Sequence, residues 1–258
     1  MFIKKIADKN FYSNNGYVIL DTDLEHNQNF NSLIEEINND LKLKIDNDEL
    51  KKNGGFIMGN FGIDQGPYGP KLYSLIFKDQ FIKILEELTE YKLDDLNIFY
   101  GGNLVLPHKG KQHFHIDGSY NKKMFMISIV TEDIDLNNAP TEICLGSHKK
   151  QMKFWEFFIG RKNKKKVTLK KGQIFIRPHN LWHRGTRNNS NKPRLLLSFS
   201  LTEKKLIKKE IQKPSSSIEI LPNFFKSDFF GRLHEFFYVY FGSVLIILKL
   251  FNSILKKK

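Results

Sequence analysis

The sequence predicts an α+β fold, mostly β, with its helices gathered at the N-terminal side. From Leu96 onward, seven short apolar runs are separated by Gly, Pro and Asn turn signals, the pattern of a β-sandwich, jelly roll or barrel. Before Leu96, apolar residues recur at helical spacing instead. At 258 residues, 40% hydrophobic and 27% charged, the chain suffices for one domain of substantial core, or at most two small ones, and is too apolar to be disordered.

The elements follow in order. FYSNNGYVIL (11–20) reads as a short helix or turn feeding an edge strand, with Asn15-Gly16 as the break. NFNSLIEEINNDL (29–41) has helical spacing, and after the glycine-rich loop 53–70 so does KLYSLIFKDQFIKILEELT (71–89). The strands expected are LNIFYGGNLVLP, KMFMISIVTED, TEICLGS, KVTLKK, GQIFIRP, LWHRGTR and RLLLSFSLTE. Residues 149–165, mixed aromatic and basic, read as a solvated insertion with anchoring aromatics. No internal repeat is visible.

The net charge of +13, with lysine clusters at 161–166, 203–210 and 256–258, suits nucleic acid, an anionic membrane surface or anionic small molecules. Nucleic acid is disfavoured, because no recognition motif interleaves aromatics with the basic residues. The single cysteine, Cys144, rules out an internal disulfide and a cysteine-built zinc site, and fits a reducing, cytoplasmic compartment. The N-terminus shows no secretory signal pattern.

The stretch QHFHIDGSY (112–120) places His113, His115 and Asp117 at alternate positions, so in a strand all three share one face and Phe114 and Ile116 take the other. Gathering imidazoles and a carboxylate raises the desolvation cost of each, and a bound cation would offset it. Two histidines and one carboxylate on one side of an octahedral ion make the facial triad of non-haem Fe(II) oxygenases. HxD supplies His115 and Asp117, and LWHRG supplies a distal His183. Arg194 follows His183 by eleven positions across the turn NNSNK. A hairpin centred between Asn189 and Ser190 would set 183 opposite 196 and 185 opposite 194, putting both side chains on the inward face; a one-residue shift would turn the arginine away. A guanidinium there would bind the far carboxylate of a chelating diacid. Without a metal, His115 and Asp117 would be a hydrogen-bonded pair in a structural strand, and Arg194 a surface strand arginine. His113 is either a substrate-facing pocket residue or a partly exposed one. His148 and His179 suit loop hydrogen bonding, and Trp182 core packing.

At this point the chain resembles the phytanoyl-CoA dioxygenase (PhyH) family of Fe(II)/2-oxoglutarate-dependent oxygenases. The resemblance rests on Gln112-x-x-His115-x-Asp117, NNAPTEICLGSHK (137–149), GQIFIRPHNLWHRG (172–185) and NKPRLLLSFS (191–200). The family's middle motif resembles N-G-P-x-x-x-x-P-G-S-H, and Ala139 and Leu145 stand here for its glycine and second proline. Relatives often carry a hydroxyl residue two after the distal histidine, where this chain has Gly185 with Thr186 next to it.

The resemblance implies a double-stranded β-helix (jelly roll, cupin-like) buttressed by N-terminal helices. It implies Fe(II) held by His115, Asp117 and His183, with 2-oxoglutarate on Arg194, helped by Thr186. No catalytic residue is implied beyond the metal ligands. O2 would be the oxidant and ascorbate an optional reductant. Decarboxylation of 2-oxoglutarate would release succinate and CO2 while a small molecule is hydroxylated; related halogenases lack the carboxylate that Asp117 retains. The substrate, anionic or lipid-linked in keeping with the charge, would be chosen by loops 53–70 and 149–165.

The chain divides into an oxygenase domain, 1–205, and a basic linker with a C-terminal amphipathic helix, 206–258. The uncharged stretch Phe236–Leu248 is short for a membrane span. On a helical wheel Arg232, Glu235, Ser243 and Lys249 face one way and Leu233, Phe237, Tyr240 and Val244 the other. Such a helix either packs on the core or a second subunit, or lies peripherally in an anionic membrane interface. Two alternatives stand beside the enzyme: a non-catalytic jelly-roll binding protein recruited to membranes by this tail, and a nucleic-acid demethylase with the same metal chemistry.

Overall fold

The computed structural model describes residues 1–4, 8–47, 59–64, 66–118, 120, 124–160, 163–204, 217–221, 228–242 and 244. Helix α1 (Lys9–Asn15) starts at an Asp8 cap and ends at Gly16, whose φ of 83° needs glycine. Strand β1 (Val18–Leu20) follows, then α2 (Gln28–Asp46), whose Asn27 cap accepts the Phe30 N–H at 3.0 Å. Phe30, Leu33, Ile34, Ile37 and Leu41 recur along α2 at 3-and-4 spacing and are buried. Each such burial contributes about 1.5–3 kcal/mol.

After β2 (Gly59–Gly62), the helix expected over 71–89 proves to be two, α3 (Tyr68–Ile76) and α4 (Asp79–Thr89). The break lets Phe77 turn inward, where its ring meets Phe81 at 5.3 Å and Phe199 at 4.9 Å. Aromatic packing outweighs helix continuation there. The remaining strands are β3 (Leu96–Val105), β4 (Met124–Val130), β5 (Thr141–Cys144), β6 (Lys164–Val167), β7 (Ile174–Pro178), β8 (His183–Gly185), β9 (Arg194–Glu203) and β10 (Glu219–Leu221). The short helix α5 (Phe154–Ile159) precedes β6, and α6 (Phe229–Tyr240) follows β10.

Seven strands form one sheet in the order β1-β7-β4-β9-β3-β2-β10, and three form a second, β6-β5-β8. This is the jelly-roll arrangement of two antiparallel sheets, with β1 at a sheet edge as expected. Alternation along β9 sends Leu195, Leu197, Phe199 and Leu201 into the core shared with α2, α3 and α4. It turns Arg194, Leu196, Ser198 and Ser200 to the space between the sheets. The main sheet extends beyond residue 205, because β10 pairs with β2 through Ile220 and Phe61.

Two sequence expectations need correction. His183 and Arg194 do not share a hairpin: β8 pairs with β5, whereas β9 pairs with β3 and β4. They belong to opposite sheets and face one another across the sandwich. Nor is 112–117 a regular strand; it forms an isolated bridge, His115 with His183, inside an extended run beside β8.

Candidate metal centre

The bridge brings the centre together. His115 and His183 exchange both backbone N–H···O bonds, at 2.9 and 3.0 Å, which makes them directly opposed residues with side chains on one face. Their rings lie 4.5 Å apart. The Asp117 N–H donates to the His179 carbonyl at 2.9 Å, holding the carboxylate one pleat further along the same face. Phe114 is buried on the other side with Trp182 and Phe157, whose rings stack at 4.3 Å.

Both imidazoles are oriented from behind. His115 Nδ1 lies 2.9 Å from the His113 carbonyl and His183 Nδ1 2.9 Å from the Leu181 carbonyl. A carbonyl only accepts, so each Nδ1 carries the proton and each Nε2 presents its lone pair. The two Nε2 atoms converge on Asp117 Oδ1, at 3.5 and 3.4 Å. All three ligand atoms lie within 4.8 Å of one another, so the cluster can hold a metal ion. Cis ligands on an octahedral ion with bonds of about 2.1 Å lie about 3 Å apart, close to what is found.

The protonation states also suit a metal. Burial, then the Arg177 charge, pushes His183 down to about 4, so it is neutral at pH 7. Burial raises the Asp117 carboxyl, but the Arg177 guanidinium beside it holds it well below the usual carboxylate range. Neutral imidazole and ionised carboxylate are the ligating forms.

Arg177, on β7, is a residue that sequence reasoning passed over. Its Nη2 donates to Asp117 Oδ2 at 2.7 Å, occupying the oxygen turned away from the histidines and leaving Oδ1 for the metal. It sits in the quoted motif GQIFIRPH, but only register shows that β7 points it at Asp117. Arg177→Gln is expected to weaken Fe(II) or Co(II) binding about 10–100-fold, the usual cost of losing a partner behind a ligand. Metal titration with circular dichroism as a folding control checks this.

Arg194 is fully buried on the facing sheet, with Nη1 2.5 Å from Asn103 Oδ1 and Nη2 3.1 Å from the Ala139 carbonyl. Among the described residues its Nε has no hydrogen-bond partner. Burial lowers this guanidinium to about 10, opposed by Glu132, so it remains a cation at neutral pH. Ala139 explains the family glycine noted at this position: its φ is 60°, a left-handed conformation that strains any residue with a Cβ. Leu145 donates its N–H to Asn163 at 2.9 Å, a bond that proline could not make.

A cavity of about 670 Å³ connects these groups and includes His115, Asp117, His183, Arg177 and Arg194 in its wall. That volume suits a small molecule with a cosubstrate. The floor carries Ser128, Ser198 and Ser200, the first two being cross-strand partners. Thr186 is not in the wall; its hydroxyl donates to the Pro140 carbonyl at 2.7 Å, while Gly185 lines the cavity. His113 is not in the wall either: its ring meets His115 at 5.3 Å and Tyr238 of α6 at 5.7 Å. Burial, then the neighbouring His115 and His183, lowers it to about 4. Of the two expected pocket loops, 53–70 contributes through Asn60, Phe61, Gly62 and Asp64, with 53–58 and 65 outside the described residues. Among the described residues of 149–165, none lines the cavity. His148 and His179 bond to the Ser13 and Met124 carbonyls, at 3.1 and 2.9 Å.

Residues 84–196 match the family model described as phytanoyl-CoA dioxygenase (PhyH). The chain carries a PhyH domain. PhyH domains are 2-oxoglutarate-dependent dioxygenases, and the protein is an enzyme of that class. The fold is shared with solved structures of low identity. AviO1 from Streptomyces viridochromogenes Tue57 is 12% identical with a TM-score of 0.60, over 76% of this chain and 93% of that one. EctD from S. alaskensis, solved with 2-oxoglutarate and 5-hydroxyectoine, is 14% identical with a TM-score of 0.58, over 76% and 74%. The epimerase SnoN, solved with Fe3+, α-ketoglutarate and nogalamycin RO, is 12% identical with a TM-score of 0.58, over 83% and 93%. No curated protein sequence matches this one.

Proposed function

We propose that this PhyH protein is an Fe(II)- and 2-oxoglutarate-dependent hydroxylase of a polar small molecule, releasing succinate and CO2, with a cytoplasmic place of work. His115, Asp117 and His183 are its iron ligands and Arg194 its anchor for the cosubstrate's distal carboxylate. The observation that carries this is the convergence of two Nε2 atoms on one carboxylate oxygen, each imidazole pinned by a carbonyl behind it. Iron, when bound with 2-oxoglutarate and O2, supplies the oxidising power that no side chain has.

The chain's own residues do the rest. Arg194 offers its unpartnered Nε and charge from a site closed to water, where one charge-assisted hydrogen bond is worth about 1.5–3 kcal/mol. Arg177 neutralises Asp117 and turns Oδ1 toward the histidines. The hydroxyls of Ser128, Ser198 and Ser200 favour a hydrogen-bonding substrate, and the net charge of +13 favours an anionic one. The retained carboxylate of Asp117 fills the position that halogenation would need, which favours hydroxylation.

Anaerobic addition of Fe(II) and then 2-oxoglutarate to the purified protein tests the reading. A visible metal-to-ligand charge-transfer band that saturates with 2-oxoglutarate is expected. No band in folded, metal-loaded protein would leave the non-catalytic binding protein as the better account.

A further inference from the structure

We propose that the outward face of α6 docks this protein on an anionic bilayer. The helix is amphipathic in sequence, but it does not bury its apolar face. It turns the opposite edge inward: Glu235 is 5% exposed, and the Tyr238 ring meets His113 at 5.7 Å and Phe154 at 5.8 Å. The apolar side is left out, with Phe229 at 73%, Phe230 at 77%, Phe236 at 45% and Phe237 at 41% exposed. Among the described residues thirteen large hydrophobics are exposed, and eight of them lie between Phe229 and Val244. At 100° per residue the six of these that lie within α6 fall within an arc of about 120°, with Glu235 and Tyr238 outside it. A contiguous apolar arc of this kind is a contact surface, not scattered exposure.

Charge and chain continuity choose the occupant. From Phe236 to the C-terminal Lys258 there is no acidic residue, and Lys249, Lys256, Lys257 and Lys258 are all cationic. Aromatic rings on one face, followed by apolar sequence with a basic end, match an anionic lipid surface, to which lysines near the headgroups add electrostatic attraction. No described helix is long and apolar enough to cross a membrane. Because the inner edge of α6 touches His113, two residues from the ligand His115, docking sets this side of the PhyH domain against the lipid. An amphiphile held in the headgroup layer is then the substrate class nearest to hand.

The test is flotation of the full-length protein with vesicles of phosphatidylcholine alone or of equal parts phosphatidylcholine and phosphatidylglycerol. Flotation with the anionic vesicles, weakened by salt and reduced at least about tenfold in Phe236→Glu/Phe237→Glu, is the expected result. The surface double variant should keep the Fe(II)/2-oxoglutarate band, so loss of docking is separable from failure of the metal centre. No flotation, or flotation indifferent to the double variant, overturns the proposal. Equal flotation with neutral vesicles overturns the anionic assignment. A dimer in sedimentation that the double variant dissociates, without flotation, gives the face to a second copy instead.

Discussion

Replacing Asp117 with alanine is expected to abolish the Fe(II)/2-oxoglutarate band and to weaken metal binding by more than about a hundredfold. The bound exceeds the 10–100-fold cost of disturbing a residue behind a ligand, because here the only anionic ligand is lost. Two neutral imidazoles alone neither complete the facial set nor offset the charge of a divalent ion. The substitution also strands the Arg177 guanidinium, whose side chain is 8% exposed and whose 2.7 Å partner is gone. Breaking a fully buried pair costs about 3–5 kcal/mol. Asp117 keeps 27% exposure, so solvent screening brings the expected loss nearer to about 1–3 kcal/mol. The double variant Asp117→Ala/Arg177→Met separates the two effects, since it should recover stability without recovering metal. Urea denaturation reads the first and Co(II) absorption the second. Undiminished metal affinity in folded Asp117→Ala would remove this residue from the ligand set.

The Arg194→Met variant should bind Fe(II) or Co(II) normally and lose 2-oxoglutarate affinity by about a hundredfold, in line with one or two charge-assisted hydrogen bonds. Arg194→Lys should recover little: an ammonium is a point donor that cannot reproduce the fork reaching Asn103 and Ala139. Both variants leave the partly buried Asn103 side-chain oxygen and the buried Ala139 carbonyl short of a donor, so a stability loss of about 1–3 kcal/mol, most of it from the carbonyl, accompanies them. Calorimetric titration of 2-oxoglutarate into Co(II)-loaded protein decides the matter. Equal affinity in wild type and Arg194→Met would mean that the cosubstrate carboxylate is anchored elsewhere.

Much of this was legible in the chain, for local reasons. The apolar runs of β3, β4, β7 and β9, set apart by turn signals, are visible in letters alone, although their alternation between helix-side core and cavity is not. HxD with a distal histidine marked three residues that the fold brings together where they could hold a metal ion. The departure at Ala139 was visible too, but its meaning was not, because a φ of 60° is a property of the folded loop.

Other features had no local signature. The eleven-residue spacing of His183 and Arg194 suggested a hairpin, and the two residues do face one space, though from different sheets. Strand pairing depends on which distant segment offers a complementary edge, and β5 rather than β9 offers it to β8. The partnership of Arg177 with Asp117 spans sixty positions and needs β7 in its place in the sheet. The wheel of the C-terminal helix located its apolar face, but only packing could show that Glu235 and Tyr238 turn inward and the rings outward.

The sequence by itself thus determined the β-rich fold class and the candidate metal ligands, because turn signals and short-range spacing are written along the chain, and its resemblance to the PhyH family implied the reaction class. The tertiary structure decided which oxygen of Asp117 is free, which arginine stands behind it and which side of the last described helix meets solvent. Those depend on contacts between segments far apart in sequence, and their energies exist only once the sheets have closed.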